Sequence, residues 1–211
     1  MLFIATPSFT KELTVDYNQS MVQAAIVLTK LGIEIHHEVR GGDCFIDHAR
    51  NELVDAFLDS KATDLLFVDA DVGFDARALP RILNYPQEIV GGLVPKREPG
   101  AEVYHQNALT GCIQNGLFET LELPTAFMRI KRRVFEKLER PYFKLDSSRT
   151  ARDMKSDAPA GEDIYFCRKW CEHRSLWVDP DITFSHRGSY AWRGNFYDHC
   201  VKSGLLKKEA A

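Results

Sequence analysis

The chain has 211 residues, 45% of them hydrophobic and 27% charged, a balance that supports a buried core and excludes disorder along its whole length. Lysine and arginine number 27 against 30 aspartates and glutamates, and the formal net charge of −3 argues against nucleic-acid binding and gives a membrane-surface role no support. At roughly 150 residues per domain, this length predicts one domain spanning 1–211.

No apolar run approaches the ~20 residues of a membrane span, and the start MLFIATPSFT lacks a basic leader, so the chain reads as cytoplasmic. Cys44, Cys112, Cys167, Cys171 and Cys200 form an odd, scattered set that suits a reducing compartment better than a disulfide framework. Cys167 and Cys171 stand four apart, but no second pair completes a tetrahedral zinc site.

In chain order, Leu2 to Ala5 reads as a buried strand ended by a turn at Thr6-Pro7-Ser8. Apolar residues at helical spacing from about Asn18 to Leu31 predict a helix stopped at Gly32. Ile33 to Val39 reads as a strand, Asp47 to Asp59 as a helix, and Asp64 to Val68 as a strand. This β-α-β-α-β order implies a parallel sheet covered by helices. Glu88 to Pro95 reads as another strand, with Gly91-Gly92 leaving room for a backbone or a ligand to come close. After Lys96 the pattern is more mixed. Cys112 to Thr120, Ala126 to Ile130 and Leu176 to Phe184 read as strands, Ile164 to His173 as a helix, and the polar stretch Asp146 to Ala160 as a mobile loop. The halves 1–96 and 97–211 are therefore expected to bind a ligand and to supply chemistry, respectively.

Three constellations carry chemistry. Asp69-Ala70-Asp71 follows the unalternating apolar strand Leu65 to Val68, and in an open α/β sheet ligands bind beyond the carboxyl ends of the strands. Alternate residues of an extended chain point the same way, so both acids reach one ligand, and carboxylates beside phosphate oxygens suit Mg²⁺ or Mn²⁺. A solvated turn or a helix cap accounts for the same two acids. Gly161-Glu162-Asp163 opens the helical run from Ile164, as helix-start chemistry or as a general base whose pKa the helix dipole would lower. His186, in Ser185-His186-Arg187-Gly188 at a strand end, is by itself a hydrogen-bonded surface or core imidazole as readily as a metal ligand.

Together these segments resemble the nucleotide-diphospho-sugar glycosyltransferases of the GT-A fold. His48-Ala49-Arg50-Asn51 followed by Leu65-Leu66-Phe67-Val68-Asp69-Ala70-Asp71 is similar to their donor-site half. Thr125 to Arg132, Gly161 to Cys167, and Val178-Asp179-Pro180 followed by His186 are similar, in the family's order, to its later segments. The resemblance spans about residues 2 to 196 and is strongest to small viral and phage-type members. It implies an α/β GT-A fold with a mainly parallel, Rossmann-like sheet and a mixed acceptor-side half. It also implies metal-dependent, base-assisted transfer in the inverting sense: a sugar moves from a nucleotide diphosphate, with UDP the expected carrier, to a glycan or other hydroxyl acceptor.

By the same resemblance, Thr6, Pro7 and Ser8 would hold base and ribose, Arg50 the nucleotide or its diphosphate, and Asp69, Ala70 and Asp71 the donor. Asp69, Asp71 and His186 would bind Mn²⁺ or Mg²⁺, and Asp163 would be the base, with Glu162 second. Ala126 departs from the family, which often has Gly there, so acceptor identity does not transfer. A metal-dependent nucleotidyltransferase would also use paired acids, although no Gly-rich basic phosphate loop is present. A catalytically silent sugar-nucleotide or glycan-binding module is the alternative from another class.

Overall fold

A computed structural model describes residues 1–98, 102–145, 161–188 and 191–207. The first half runs β1 (Leu2–Ser8), α1 (Val15–Lys30), β2 (Ile35–Gly41), α2 (Ile46–Asp59) and β3 (Asp64–Val68), followed by β4 (Val72–Phe74), α3 (Ala78–Asn84) and β5 (Ile89–Gly91). The second half runs β6 (Leu109–Gln114), β7 (Leu117–Thr120), β8 (Phe127–Lys131), α4 (Arg132–Phe135), α5 (Glu162–Cys171), β9 (Leu176–Val178), β10 (Thr183–Arg187), β11 (Ala191–Asn195) and α6 (Phe196–Lys202).

The large sheet has the order β2-β1-β3-β8-β5-β9-β7-β6. β2, β1 and β3 are parallel, and β8 opposes both β3 and β5. β9 runs with β5, and β7 opposes both β9 and β6, so only β7 and β8 run against the rest. This is the expected α/β arrangement, a mainly parallel sheet flanked by helices with a mixed second half.

Pleating sends alternate side chains of a strand to opposite faces, which is why helices cover both sides. Phe3, Ala5, Leu65 and Phe67 join one core with Leu53 and Phe57 of α2 and Phe166 and Trp170 of α5. Leu2, Ile4, Leu66 and Val68 join the other with Ala24 and Leu28 of α1 and Leu79 and Ile82 of α3. No helix among the described residues is long and apolar enough to cross a membrane.

Several elements differ from expectation. β1 does not stop at Ala5 but continues to Ser8: its pairing with β3 ends at Ala5↔Phe67, while pairing with β2 runs on to Ser8↔Gly41, and a strand with one neighbour tolerates Pro7. α1 starts three residues earlier than Asn18, because the Thr14 hydroxyl accepts the Tyr17 N–H and caps it. Cys112 to Thr120 is no single strand but part of the β6–β7 hairpin, turned at Asn115 (φ 53°) and Gly116 (φ 77°). Leu176 to Phe184 is broken into β9 and β10 around Pro180. The expected strand from Glu88 shortens to Ile89–Gly91, where a Cβ on Gly91 would lie 2.4 Å from the Phe127 carbonyl oxygen, so the close approach is to backbone. β4, α3, β11 and α6 were not anticipated. The loop expected from Asp146 to Ala160 lies outside the described residues.

A second, three-stranded sheet of order β11-β10-β4 positions the site. β4 leaves the Asp69-Ala70-Asp71 segment and pairs with β10 in a register that sets His186 opposite Val72, while the Arg187 N–H donates to the Asp71 carbonyl at 2.9 Å. One ladder thus brings together two segments more than a hundred residues apart in sequence.

Candidate active site

A cleft of about 1040 Å³ opens at the carboxyl ends of β1 and β3. Its lining includes Pro7 and Ser8 from β1, Arg50 from α2, Asp69, Ala70 and Asp71 after β3, Thr125 and Ala126 before β8, and Glu162 and Asp163 at the start of α5. Thr6 is not brought to it. Thr6 is fully buried, its hydroxyl 2.5 Å from the Tyr17 hydroxyl, which in turn lies 2.8 Å from His37 Nε2. Burial pushes the Tyr17 phenol up to about 12, so this chain of hydrogen bonds is a neutral one that fixes β1 against α1.

Asp69 and Asp71 share the cleft through a turn rather than the extended alternation expected for them. The Val72 N–H donates to the Asp69 carbonyl at 3.0 Å, and the Asp69 N–H donates to the Ala126 carbonyl at 3.1 Å. The Ala70 carbonyl accepts from the Thr14 N–H at 3.0 Å, tying the turn to the residue that caps α1.

Arg50 is buried and joins two acids. Its Nη2 donates to Asp69 at 3.0 Å and its Nε to Glu162 at 2.9 Å, while the guanidinium lies over the Phe67 ring, 5.1 Å from the centroid. Burial works against its charge, yet Asp69 and Glu162 outweigh burial and hold its pKa above the ordinary value. Its Nη1 is buried with no partner among the described residues, and Arg50 is one of the residues that line the cleft. Asn51, the next residue, is occupied structurally: its side chain bonds the Asp47 and Phe143 carbonyls and accepts the Tyr142 and Phe143 N–H groups.

Asp163 departs from expectation in sign. Burial, then the neighbouring Glu162 carboxylate, push its pKa up to about 6, although the Ile164 N–H donates to it at 2.8 Å. The expected lowering by the helix dipole is outweighed. Glu162 is held by Arg50, which leaves Asp163 the acid with a proton affinity suited to exchange near neutral pH.

His186 Nδ1 lies 2.8 Å from the Pro95 carbonyl, and a carbonyl only accepts, so Nδ1 carries the proton and Nε2 the lone pair. Burial holds the ring below its ordinary pKa, hence neutral. Nε2 stands 3.7 Å from an Asp71 carboxylate oxygen and accepts from Arg97 Nε at 3.0 Å, and Arg97 also pairs with Asp71 through Nη2. Asp179 does not join this group. It is buried against Arg81, whose Nε donates to it at 2.8 Å, and fastens α3 to the β9–β10 connection.

Arg97 and Arg187 are site residues that the sequence did not single out. Arg187 lines the cleft and donates through Nε to Asp16 at 3.0 Å. For Arg187 the one signal was its place beside His186, and Arg97 had none. Elsewhere, Asp43, His48 and Glu52 form the one group of three among the described residues whose ligand atoms lie within 4.8 Å of one another. Arg40 already pairs with Glu52 there, and His48 Nδ1 lies 2.5 Å from Asp43, so charges within the group account for it.

No protein-family model and no curated protein sequence matches the chain. Among solved structures, the crystal structure of A197 from STIV superposes with a TM-score of 0.58 at 20% identity, covering 89% of this chain and 85% of that one. That likeness shows a shared fold. A glycosyltransferase involved in glycosylation of the major capsid of PBCV-1 aligns at 11% identity over 64% of this chain and 62% of that one, with a TM-score of 0.35. A superposition that loose says nothing about activity.

Proposed function

We propose that the chain is a metal-dependent glycosyltransferase that moves a sugar from a nucleotide diphosphate, with a UDP-sugar as donor, to a hydroxyl on a glycan or similar acceptor with inversion. The observation that carries the reading is the pairing of environments in one cleft. Asp163 is a carboxyl whose pKa is raised to about 6, and beside it Arg50 clamps Asp69 and Glu162 with one donor to spare. A carboxyl of raised proton affinity beside an arginine that holds two further acids is able to divide proton transfer from charge binding.

In this reading Pro7 and Ser8 bound the nucleoside side of the cleft, and Arg50 Nη1, unpartnered among the described residues, donates to an oxygen of the donor. Asp163 takes the proton of the acceptor hydroxyl as its oxygen bonds to the sugar's anomeric carbon. The bond from that carbon to the diphosphate oxygen breaks, and the electron pair leaves with the nucleoside diphosphate. Asp69, Asp71 and the lone pair of His186 Nε2 are hard oxygen and nitrogen donors suited to Mn²⁺ or Mg²⁺. The backbone carbonyl that fixes the His186 tautomer is the usual partner of a metal-binding imidazole. When bound, such an ion would neutralise charge on the departing diphosphate.

The test is a panel of nucleotide sugars with Mn²⁺, read as released nucleoside diphosphate and compared with Asp163→Asn. Release by the wild type that the variant loses supports the reading; no release from any donor, or equal release by both, overturns it.

A further inference from the structure

We propose that Arg97 is a built-in cation that fills the seat between Asp71 and His186 in the free protein, and that it leaves this seat only when a divalent metal arrives together with a diphosphate. The inference rests on the site of the proposed transfer and adds to it an order of binding. Its basis is the coincidence of contacts: Arg97 Nε donates to His186 Nε2 at 3.0 Å while Nη2 of the same guanidinium pairs with Asp71. Those two acceptors face each other across 3.7 Å, the gap a shared cation would bridge.

Exclusion at this seat is strict at one atom. With Nδ1 protonated toward the Pro95 carbonyl, Nε2 of a neutral imidazole has a single lone pair, which serves either the Arg97 N–H or a metal ion. A metal entering alone must therefore displace a guanidinium and leave it without these partners in a cleft that also holds Arg50 and Arg187. A metal entering with a diphosphate meets no such cost, since the fork of an arginine matches phosphate oxygens bidentately. Arg97 can make the move. Its side chain is 43% exposed and lines the cleft, while its backbone neighbourhood is held, with the Lys96 N–H bonded to the Val103 carbonyl at 2.7 Å. The arginine thus passes from Asp71 to the donor as the metal takes its place, and the free protein is kept from holding a metal without a substrate.

The experiment is titration of the full chain with Mn²⁺ and no nucleotide, read by calorimetry and by the electron paramagnetic resonance of free Mn²⁺, for the wild type, Arg97→Gln and Arg97→Lys. The expected result is Mn²⁺ binding about tenfold tighter in Arg97→Gln, the scale of one screened charge contact, with a smaller gain in Arg97→Lys. Adding Asp71→Asn to Arg97→Gln should remove the gain, and UDP should tighten Mn²⁺ more in the wild type than in Arg97→Gln. Equal or weaker Mn²⁺ binding in Arg97→Gln, or no binding by any of these proteins, overturns the proposal. Donor turnover is measured separately, so turnover without a gain in metal affinity rejects the role of Arg97 and leaves transfer standing.

Discussion

One buried guanidinium joins Asp69 to Glu162: Arg50 reaches the first at 3.0 Å and the second at 2.9 Å, so the turn after β3 and the first turn of α5 are held by the same side chain. Removing it leaves two part-buried carboxylates facing each other beside Asp163. Breaking such a buried arrangement typically costs about 3–5 kcal/mol. Arg50→Met should therefore lower stability by that amount, read as a fall in the urea midpoint at constant slope. A loss well under 1 kcal/mol would mean that the acids relax into solvent without it.

Asp163 ties stability to pH in the direction opposite to an ordinary aspartate. Its folded pKa of about 6 is above the ordinary value of 3.8, so the folded state binds the proton more tightly. The resulting contribution is fully present below about 3.8 and is lost as pH rises through about 6. Asp163→Asn should then raise stability at pH 7.5, by on the order of 1–3 kcal/mol, and flatten the dependence between pH 4 and 7. A variant no more stable than the wild type at pH 7.5 would place the carboxyl in a more solvated setting.

The same group should shape the rate. A base must be deprotonated to act, so kcat/KM for transfer should rise with pH up to about 6 and level off above it. Asp163→Asn should lower transfer by about 10²–10⁴-fold while nucleotide affinity changes little. Transfer that survives the substitution would move the role away from Asp163.

The β6–β7 hairpin offers a stability test far from the cleft. Gly116 sits at φ 77°, where a side chain with a Cβ is strained by roughly 1–2 kcal/mol, so Gly116→Ala should cost about that much in thermal or urea unfolding. An Asn-Gly pair is the strongest short hairpin signal, and it stands in the sequence at 115–116. The apolar residues on both sides masked it, and the segment read as one strand.

What the sequence made legible was local. β3 falls at Asp64–Val68 as expected, because a run buried on both faces leaves no alternation to misread, and the acids that follow it do face a cleft. Gly161-Glu162-Asp163 opens a helix as expected, but the sign of the Asp163 shift depends on burial and on Glu162, which spacing does not reveal. The link from Asp71 to His186 comes from the β4–β10 ladder, a pairing between three- and five-residue strands with no turn to announce it. Arg97 was invisible for a similar reason: it belongs to no regular element, and only the fold places it on two acceptors.

The last prediction separates a cation site from a turn that merely holds two acids. Asp71 and His186 meet at 3.7 Å although they lie more than a hundred residues apart, and a diphosphate would supply oxygens to any ion they hold. UDP binding measured by calorimetry should therefore be tighter with Mn²⁺ than with EDTA. Asp71→Ala should weaken it more than His186→Ala, since the first removes a charge facing the cation and the second a neutral donor held below its ordinary pKa by burial. The ranking carries the test because both substitutions also release Arg97, so a difference between them reports the ligands themselves. UDP affinity indifferent to Mn²⁺ and to Asp71 would reject the metal and leave the acids as partners of Arg50 and Arg97 alone.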